Sequence, residues 1–202
     1  DALPISLTVG ALVSSLMGQF GKTLDHLKDE YPGLELKIST GLSSDFLQQV
    51  IDGLLDAAIV TESPYALPKS IRWTLLYEEA MILIYPKGKD PSNLPFIRFE
   101  PKTWTGELVD RFIRVNGLEI RNSMVVNSVE AIIELVRQGF GYAVVPKLAN
   151  VVWDKDKRIL IANPPRKTIY RRVGLLERKN HARTKITKAI EEQFRTGANP
   201  AH

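Results

Sequence analysis

Ile5-Ser6-Leu7-Thr8-Val9 alternates apolar and polar residues, and Ser14-Ser15 then opens an apolar stripe at Leu16, Phe20, Leu24, Leu27 and Tyr31. Alternation with period two reads as a strand, and the stripe's three- and four-residue steps line one face of a helix. Gly18 and Gly21 each cost that helix about 1 kcal/mol relative to Ala, so tertiary packing must hold it. Pro32-Gly33 stops it, and Leu34-Glu35-Leu36-Lys37-Ile38 is the next strand. Ser43-Ser44 opens a second stripe of Phe46, Leu47, Val50, Ile51 and Leu54, with Gly53 near its end, and Ala57-Ala58-Ile59-Val60 is the third strand. Strands alternating with helices in this way form a parallel sheet.

The same unit is then written again. Phe96-Ile97-Arg98-Phe99 is followed by a run opened near Thr103-Trp104-Thr105, with a stripe at Leu108, Val109, Phe112 and Ile113 ended by Asn116-Gly117. Met124-Val125-Val126 leads to a run opened by Asn127-Ser128, with Val129, Ile132, Ile133 and Val136 ended by Gln138-Gly139, and then to Tyr142-Ala143-Val144-Val145. Asn127 and Glu130 have the spacing of a capping box. The β-prone segment from Trp73 to Tyr85 has no glycine break before Gly88, and so reads as a strand crossing from one copy to the next. A turn at Asp154-Lys155-Asp156-Lys157, a strand from Arg158 to Ala162, a Pro164-Pro165 break and a long strand at Val173-Gly174-Leu175-Leu176 follow. The last helix carries Ile186, Ile190 and Phe194. The expected fold is α/β: two Rossmann-like lobes joined by two crossover strands. Residues 1–80 with 173–202 form lobe I, and 81–172 form lobe II. A double-strand hinge permits closure of such lobes on a ligand. Open α/β sheets bind ligands at the carboxyl edge of their strands, where helix N-termini point.

With 202 residues, 44% of them hydrophobic, the chain can bury a core as one large domain or two small lobes. No segment approaches the ~20 apolar residues of a membrane span. The opening Asp1-Ala2-Leu3-Pro4 lacks the basic-then-apolar pattern of a signal peptide. The absence of cysteine excludes disulfides and thiol chemistry and is compatible with the cytosol. The net charge of +4 is uneven: positions 166 to 195 hold ten Lys or Arg and three Asp or Glu. Those charges are scattered along a strand and a terminal helix without stacking aromatics, which reads as a solvated or subunit-facing surface rather than a nucleic-acid footprint.

Catalytic readings find little support. His26, His181 and His202 form no pair at metal-ligand spacing, and no Ser sits in a nucleophile elbow. Gly139-Phe140-Gly141 precedes a strand rather than following one and lacks the third glycine of a dinucleotide fingerprint. Asp52, Asp56, Glu78 and Glu79 read as solvated or ion-paired surface. No enzyme and no cofactor is expected.

Tyr31-Pro32-Gly33-Leu34-Glu35-Leu36, Gly53-Leu54-Leu55-Asp56-Ala57-Ala58-Ile59, Pro95-Phe96-Ile97 and above all Val136-Arg137-Gln138-Gly139-Phe140-Gly141-Tyr142-Ala143-Val144-Val145-Pro146 together resemble the effector-binding domain of LysR-type transcriptional regulators. Their order and spacing cover nearly the whole chain. The resemblance implies a type II periplasmic-binding-protein-like fold with a small effector between two lobes. It also implies a homodimer of this domain, and a cytoplasmic homotetramer that binds DNA through an N-terminal winged helix-turn-helix not included here. The Leu-Leu-Pro common early in the family's first helix is replaced by Gln19-Phe20-Gly21.

On that resemblance Ser14 and Ser15 at the first strand exit, and Ser43 and Ser44 at the second, are candidate ligand contacts. Helix capping is the structural alternative. An anion suits unpaired N–H groups at the positive end of a helix dipole. Asn127 is the matching candidate in the second copy. Arg98, a charge within a strand, pairs either with an acidic neighbour or with an anionic effector. Thr103 opens the next helix beside Trp104, whose expected role is packing. The expected function is sensing of a small anionic metabolite. The rival readings are a free-standing solute-binding protein, which needs export, and a small-substrate transferase or dehydratase, which needs an acid–base pair not found here.

Overall fold

The computed structural model describes residues 5–197. Residues 1–4, read above for a signal peptide, and His202 lie outside them. The chain divides into two compact units, one running to Tyr77 and resuming at Arg172, the other spanning Glu78–Arg171. It leaves the first unit within one long strand and returns within another.

The first unit begins with strand β1 (Ile5–Ala11), short helix α1 (Val13–Met17), α2 (Gln19–Glu30), β2 (Leu34–Thr40), α3 (Ser43–Ile51) and β3 (Ala57–Thr61). It also holds the first half of β4 (Ile71–Pro86), most of β9 (Tyr170–Arg178) and α6 (Thr184–Gly197). β1 runs parallel to β2 on one side and to β3 on the other, and β9 pairs antiparallel with β3. Leu7, Val9, Ala11, Ala57, Ile59 and Leu175 turn one face of this sheet toward Phe20 and Leu27 of α2 and Ile186, Ile190 and Phe194 of α6. α3 covers the opposite face: a Cβ on Gly10 would lie 2.7 Å from the Phe46 ring, so glycine in β1 is what seats this helix.

The expected single first helix is two. Gly18 adopts φ −101° and ψ −131°, its N–H bonds back to the Ser15 carbonyl, and the chain restarts as α2. After proline, glycine is the residue whose helix propensity resists such a break least. Leu54, placed on the α3 stripe, lies past the helix and is 67% exposed. Gly53, at φ 74°, makes the left-handed turn that ends α3.

The second unit repeats the plan. The remainder of β4 leads through a 3₁₀ turn to β5 (Phe96–Phe99), α4 (Trp104–Asn116), β6 (Ser123–Val126), α5 (Val129–Arg137), β7 (Tyr142–Pro146) and β8 (Ile159–Ala162). β5 is parallel to β6 and β7, while β4 is antiparallel to β7 and β8. Thus β5, β6, β7 and β4 take the roles that β1, β2, β3 and β9 have in the first unit. The turn expected at 154–157 is a 3₁₀ turn over Trp153–Lys155, anchored by the Trp153 indole N–H on the Leu148 carbonyl at 2.9 Å. Buried Asn116 fixes the Pro164-Pro165 break. Its amide donates to the carbonyls of Phe112 and Lys167, and its oxygen accepts the N–H groups of Arg166 and Lys167.

Candidate functional site

In the first unit β1 sits between β2 and β3, and the helices that follow β1 and β2 cover opposite faces. That reversal of strand order makes the carboxyl end of β1 the topological switch point, where ligands enter open α/β sheets. The registers Ala11↔Thr40 and Ala11↔Ile59 bring the ends of β1, β2 and β3 to one edge. Ser14, Ser15 and Ser43 stand there, all buried.

None of them caps a helix. The N-cap positions of α1 and α3 are Leu12 and Leu42, without a side-chain cap, so the expected cap is replaced by other bonds. Ser43 Oγ accepts the backbone N–H of Thr61 at 3.0 Å and ties the end of β3 to the start of α3. Ser15 Oγ shares a 2.6 Å hydrogen bond with the Tyr77 hydroxyl. Ser44 follows Ser43 as the second residue of α3 and is half-buried.

The corresponding edge of the second unit holds Thr103 and Asn127, after β5 and β6. Thr103 is a true cap: its hydroxyl accepts the Gly106 N–H at 3.0 Å and donates to the Glu100 carbonyl at 2.7 Å. Asn127 is not the α5 cap that its spacing from Glu130 implied. Ser128 takes that position, accepting the Ala131 N–H at 3.2 Å and donating to the Glu130 carboxylate at 3.1 Å. Asn127 is left exposed, with no side-chain hydrogen bond among the described residues. Arg98 points from β5 to α4, where its Nε donates to Asp110 Oδ1 at 3.0 Å and its Nη2 to the same oxygen. Of the two partners weighed for it, the acidic neighbour is present. Trp104 is buried, as a packing residue is. A cavity of about 500 Å³ lined by Pro91, Leu94, Arg121, Asn122 and Tyr142 opens at the amino ends of β5 and β6, the edge away from Thr103 and Asn127.

Three polar groups near the crossing strands escaped the sequence reading. Glu79, expected as solvated or ion-paired surface, is ion-paired but buried: Arg171 Nε and Nη2 both donate to its Oε2 at 2.9 and 2.6 Å. Arg172, one residue on, pairs with Glu62 at 2.6 Å and lies over the Trp73 ring. Glu177 is wholly buried, with Arg72 on one oxygen and His181 Nε2 at 2.8 Å on the other. Burial works against its charge, yet hydrogen bonds from Arg72, Thr187 and His181 hold its carboxyl below the usual range. Nearby Glu191 is pushed up, by burial and by repulsion from Glu177. The one sequence signal was an acid within each crossing strand, an expensive thing to bury unpaired. Among the described residues no group of three or more His, Asp or Glu is placed to hold a metal ion.

A family model described as the LysR substrate binding domain matches residues 5–199. The chain is 28% identical over 165 residues to a probable nitrogen assimilation transcriptional activator of Synechococcus elongatus, covering 76% of this chain and 53% of that protein. It is also 28% identical over 170 residues to the HTH-type transcriptional regulator IlvY of Escherichia coli, covering 77% and 52%. It therefore spans about half the length of these curated relatives. Among solved structures, the effector binding domain of QuiR in complex with shikimate superposes with a TM-score of 0.79 at 13% identity, covering 96% of this chain and 97% of that one. The reduced regulatory domain of OxyR2 from Vibrio vulnificus gives 0.75 at 16% identity, covering 96% of each. At such identities the likeness is one of fold, the type II periplasmic-binding-protein-like fold.

Proposed function

This chain belongs to the LysR substrate-binding domain family, and from that premise we propose that it is the effector-sensing part of a transcriptional regulator, taking a small anionic metabolite at the carboxyl edges of its parallel strands. The observation that carries the reading is the repeated switch point, with Ser14 and Ser43 at the exits of β1 and β2, and Thr103 and Asn127 at those of β5 and β6. α3 begins beside Ser43, and its first N–H groups favour negative charge. Ser14 and Asn127 are the proposed contacts, Asn127 because its amide is exposed and uncommitted. Ser43 and Thr103 hold the strand exits in place, and Arg98 is assigned to Asp110. Shikimate bound to QuiR, a small carboxylate, supports this ligand class.

The regulator is proposed to act in the cytoplasm. The domain forms a homodimer, and the full-length protein a homotetramer that reaches DNA through an N-terminal winged helix-turn-helix. The relatives are transcriptional regulators, which supports this reading over a free-standing solute-binding protein. The test is a thermal-shift screen of small carboxylates and oxoanions, followed by calorimetric titration of any hit into wild type, Ser14→Ala and Asn127→Ala. Each variant loses about ten- to a hundredfold in affinity, the worth of one charge-assisted hydrogen bond. Unchanged affinity in both folded variants would move the site away from the strand exits.

A further inference from the structure

Tyr77 is the last residue of the first unit on β4, and two contacts on one side chain fix its position. Its hydroxyl meets Ser15 Oγ at 2.6 Å, and its ring stacks on Phe194 of α6 with centroids 5.8 Å apart and planes 8° from parallel. Ser15 is 1% exposed, so its hydroxyl is committed to this bond rather than offered to a ligand. α1 is a five-residue helix followed by the break at Gly18, so little in its own backbone holds it. Neither of its serines caps it. The Leu12 N–H on the Ile59 carbonyl ties the start of α1 to β3, and the Ser15–Tyr77 bond ties its first turn to β4, the strand that carries the chain out of the unit.

We propose that Tyr77 is a positioning residue of the effector site: through Ser15 it holds Ser14 in its binding orientation and links α1 to crossover strand β4. This rests on the reading of Ser14 as an effector contact. It divides the serine pair by role, Ser14 toward the ligand and Ser15 toward the hinge. A contact that alters α1 then alters the anchorage of Tyr77, one residue before the second unit begins. A hydrogen bond that preorganises a contact raises affinity by removing the ordering cost from the binding step.

Tyr77→Phe removes the hydroxyl and leaves the ring on Phe194, so the variant folds. The probe is inorganic sulfate, titrated at constant ionic strength into the ¹⁵N-labelled chain. Amide shifts are followed at Ser14 and at Glu78, Glu79 and Ala80. In the wild type, sulfate shifts both groups of resonances. In Tyr77→Phe the sulfate Kd rises about three- to tenfold, and the response at Glu78–Ala80 is lost while melting changes little. Ser15→Ala gives the same result, and the double variant adds nothing to it. If Ser14→Ala weakens sulfate binding but Tyr77→Phe leaves both Kd and the β4 response intact, Tyr77 is only structural and the proposal is overturned. If the wild type shows no response at Ser14, the site reading itself fails, and this proposal with it.

Discussion

Replacing Glu79 by Leu should be among the most damaging single changes in the chain, and replacing Arg171 as well should restore much of the loss. The two side chains are 9% and 1% exposed and share two hydrogen bonds to one carboxylate oxygen. Removing the carboxylate takes two hydrogen bonds and the Glu79 charge away from a buried guanidinium, which costs about 3–5 kcal/mol. Arg171→Met removes the donor of both bonds from the Glu79 carboxylate, the less deeply buried of the two partners, and costs about 1–3 kcal/mol. Glu79→Leu with Arg171→Met swaps a buried ion pair for apolar volume, a change that is often neutral or better. The coupling energy between the positions is then about 4 kcal/mol or more.

Urea unfolding followed by tryptophan fluorescence gives the four stabilities of this cycle. Calorimetry supplies a second reading, in which Glu79→Leu lowers Tm by roughly 6–20 °C for a chain of this size. Arg172 provides the internal control. Its pair with Glu62 is about 40% exposed on both sides, so Arg172→Ala should cost only about 1 kcal/mol, its stacking on Trp73 included. A Glu79→Leu variant within 1 kcal/mol of wild type, or a double variant as unstable as the sum of the two singles, would refute the reasoning.

Glu191 and Glu177 should respond to pH in opposite senses. The raised Glu191 pKa contributes stability that is present below its unfolded pKa and lost as pH rises through the folded one, so Glu191→Gln should melt higher than wild type at pH 7, with the gap closing toward pH 4. The depressed Glu177 pKa contributes stability that is present above the unfolded pKa and lost as pH falls through the folded one, and Glu177→Gln should lose about 3 kcal/mol at pH 7 in urea unfolding. Gly106→Ala should cost more than about 2 kcal/mol, because its Cβ would lie 2.0 Å from the Glu100 carbonyl oxygen, whereas Gly33→Ala meets nothing within 4 Å and should gain about 0.4–1 kcal/mol in the same assay. Ser128→Ala should lose about 1 kcal/mol as the α5 cap, and Asn127→Ala almost nothing, so a capping role for Asn127 is rejected if the order reverses.

The repeated unit was legible because its signals are local. The stripes at Val129, Ile132, Ile133 and Val136 and at Ile186, Ile190 and Phe194 are buried as their spacing required. Glycine after α3, α4 and α5 takes the positive φ that such ends need. The site was legible only as position. A hydroxyl at a strand exit announces that something will bond to it, but its partner lies far along the chain: Thr61 for Ser43, eighteen residues on, and Tyr77 for Ser15, sixty-two residues on. The capping box at Asn127 misled because its pattern tolerates a shift of one residue. Ser128 satisfies the α5 N–H groups equally well, and the backbone chooses between them.

The basic stretch shows how far a charge count falls short of a surface. Of the ten cations between positions 166 and 195, Arg171 is buried on Glu79 and Arg172 is paired with Glu62. Arg178 turns its Nη1 to the Val50 carbonyl and so braces the end of α3. Half of the arginine charge in the segment is therefore spent inside the first unit or on its crossing strand, rather than on the solvated or subunit-facing surface expected of it. What remains outward on α6, Lys185, Lys188 and Arg195, is too sparse and too free of aromatic neighbours to read bases. This domain should then show at most weak, salt-sensitive association with duplex DNA at ~150 mM salt. Nanomolar, sequence-specific binding in a fluorescence-anisotropy titration would mean that these three side chains do what their number and placement argue against.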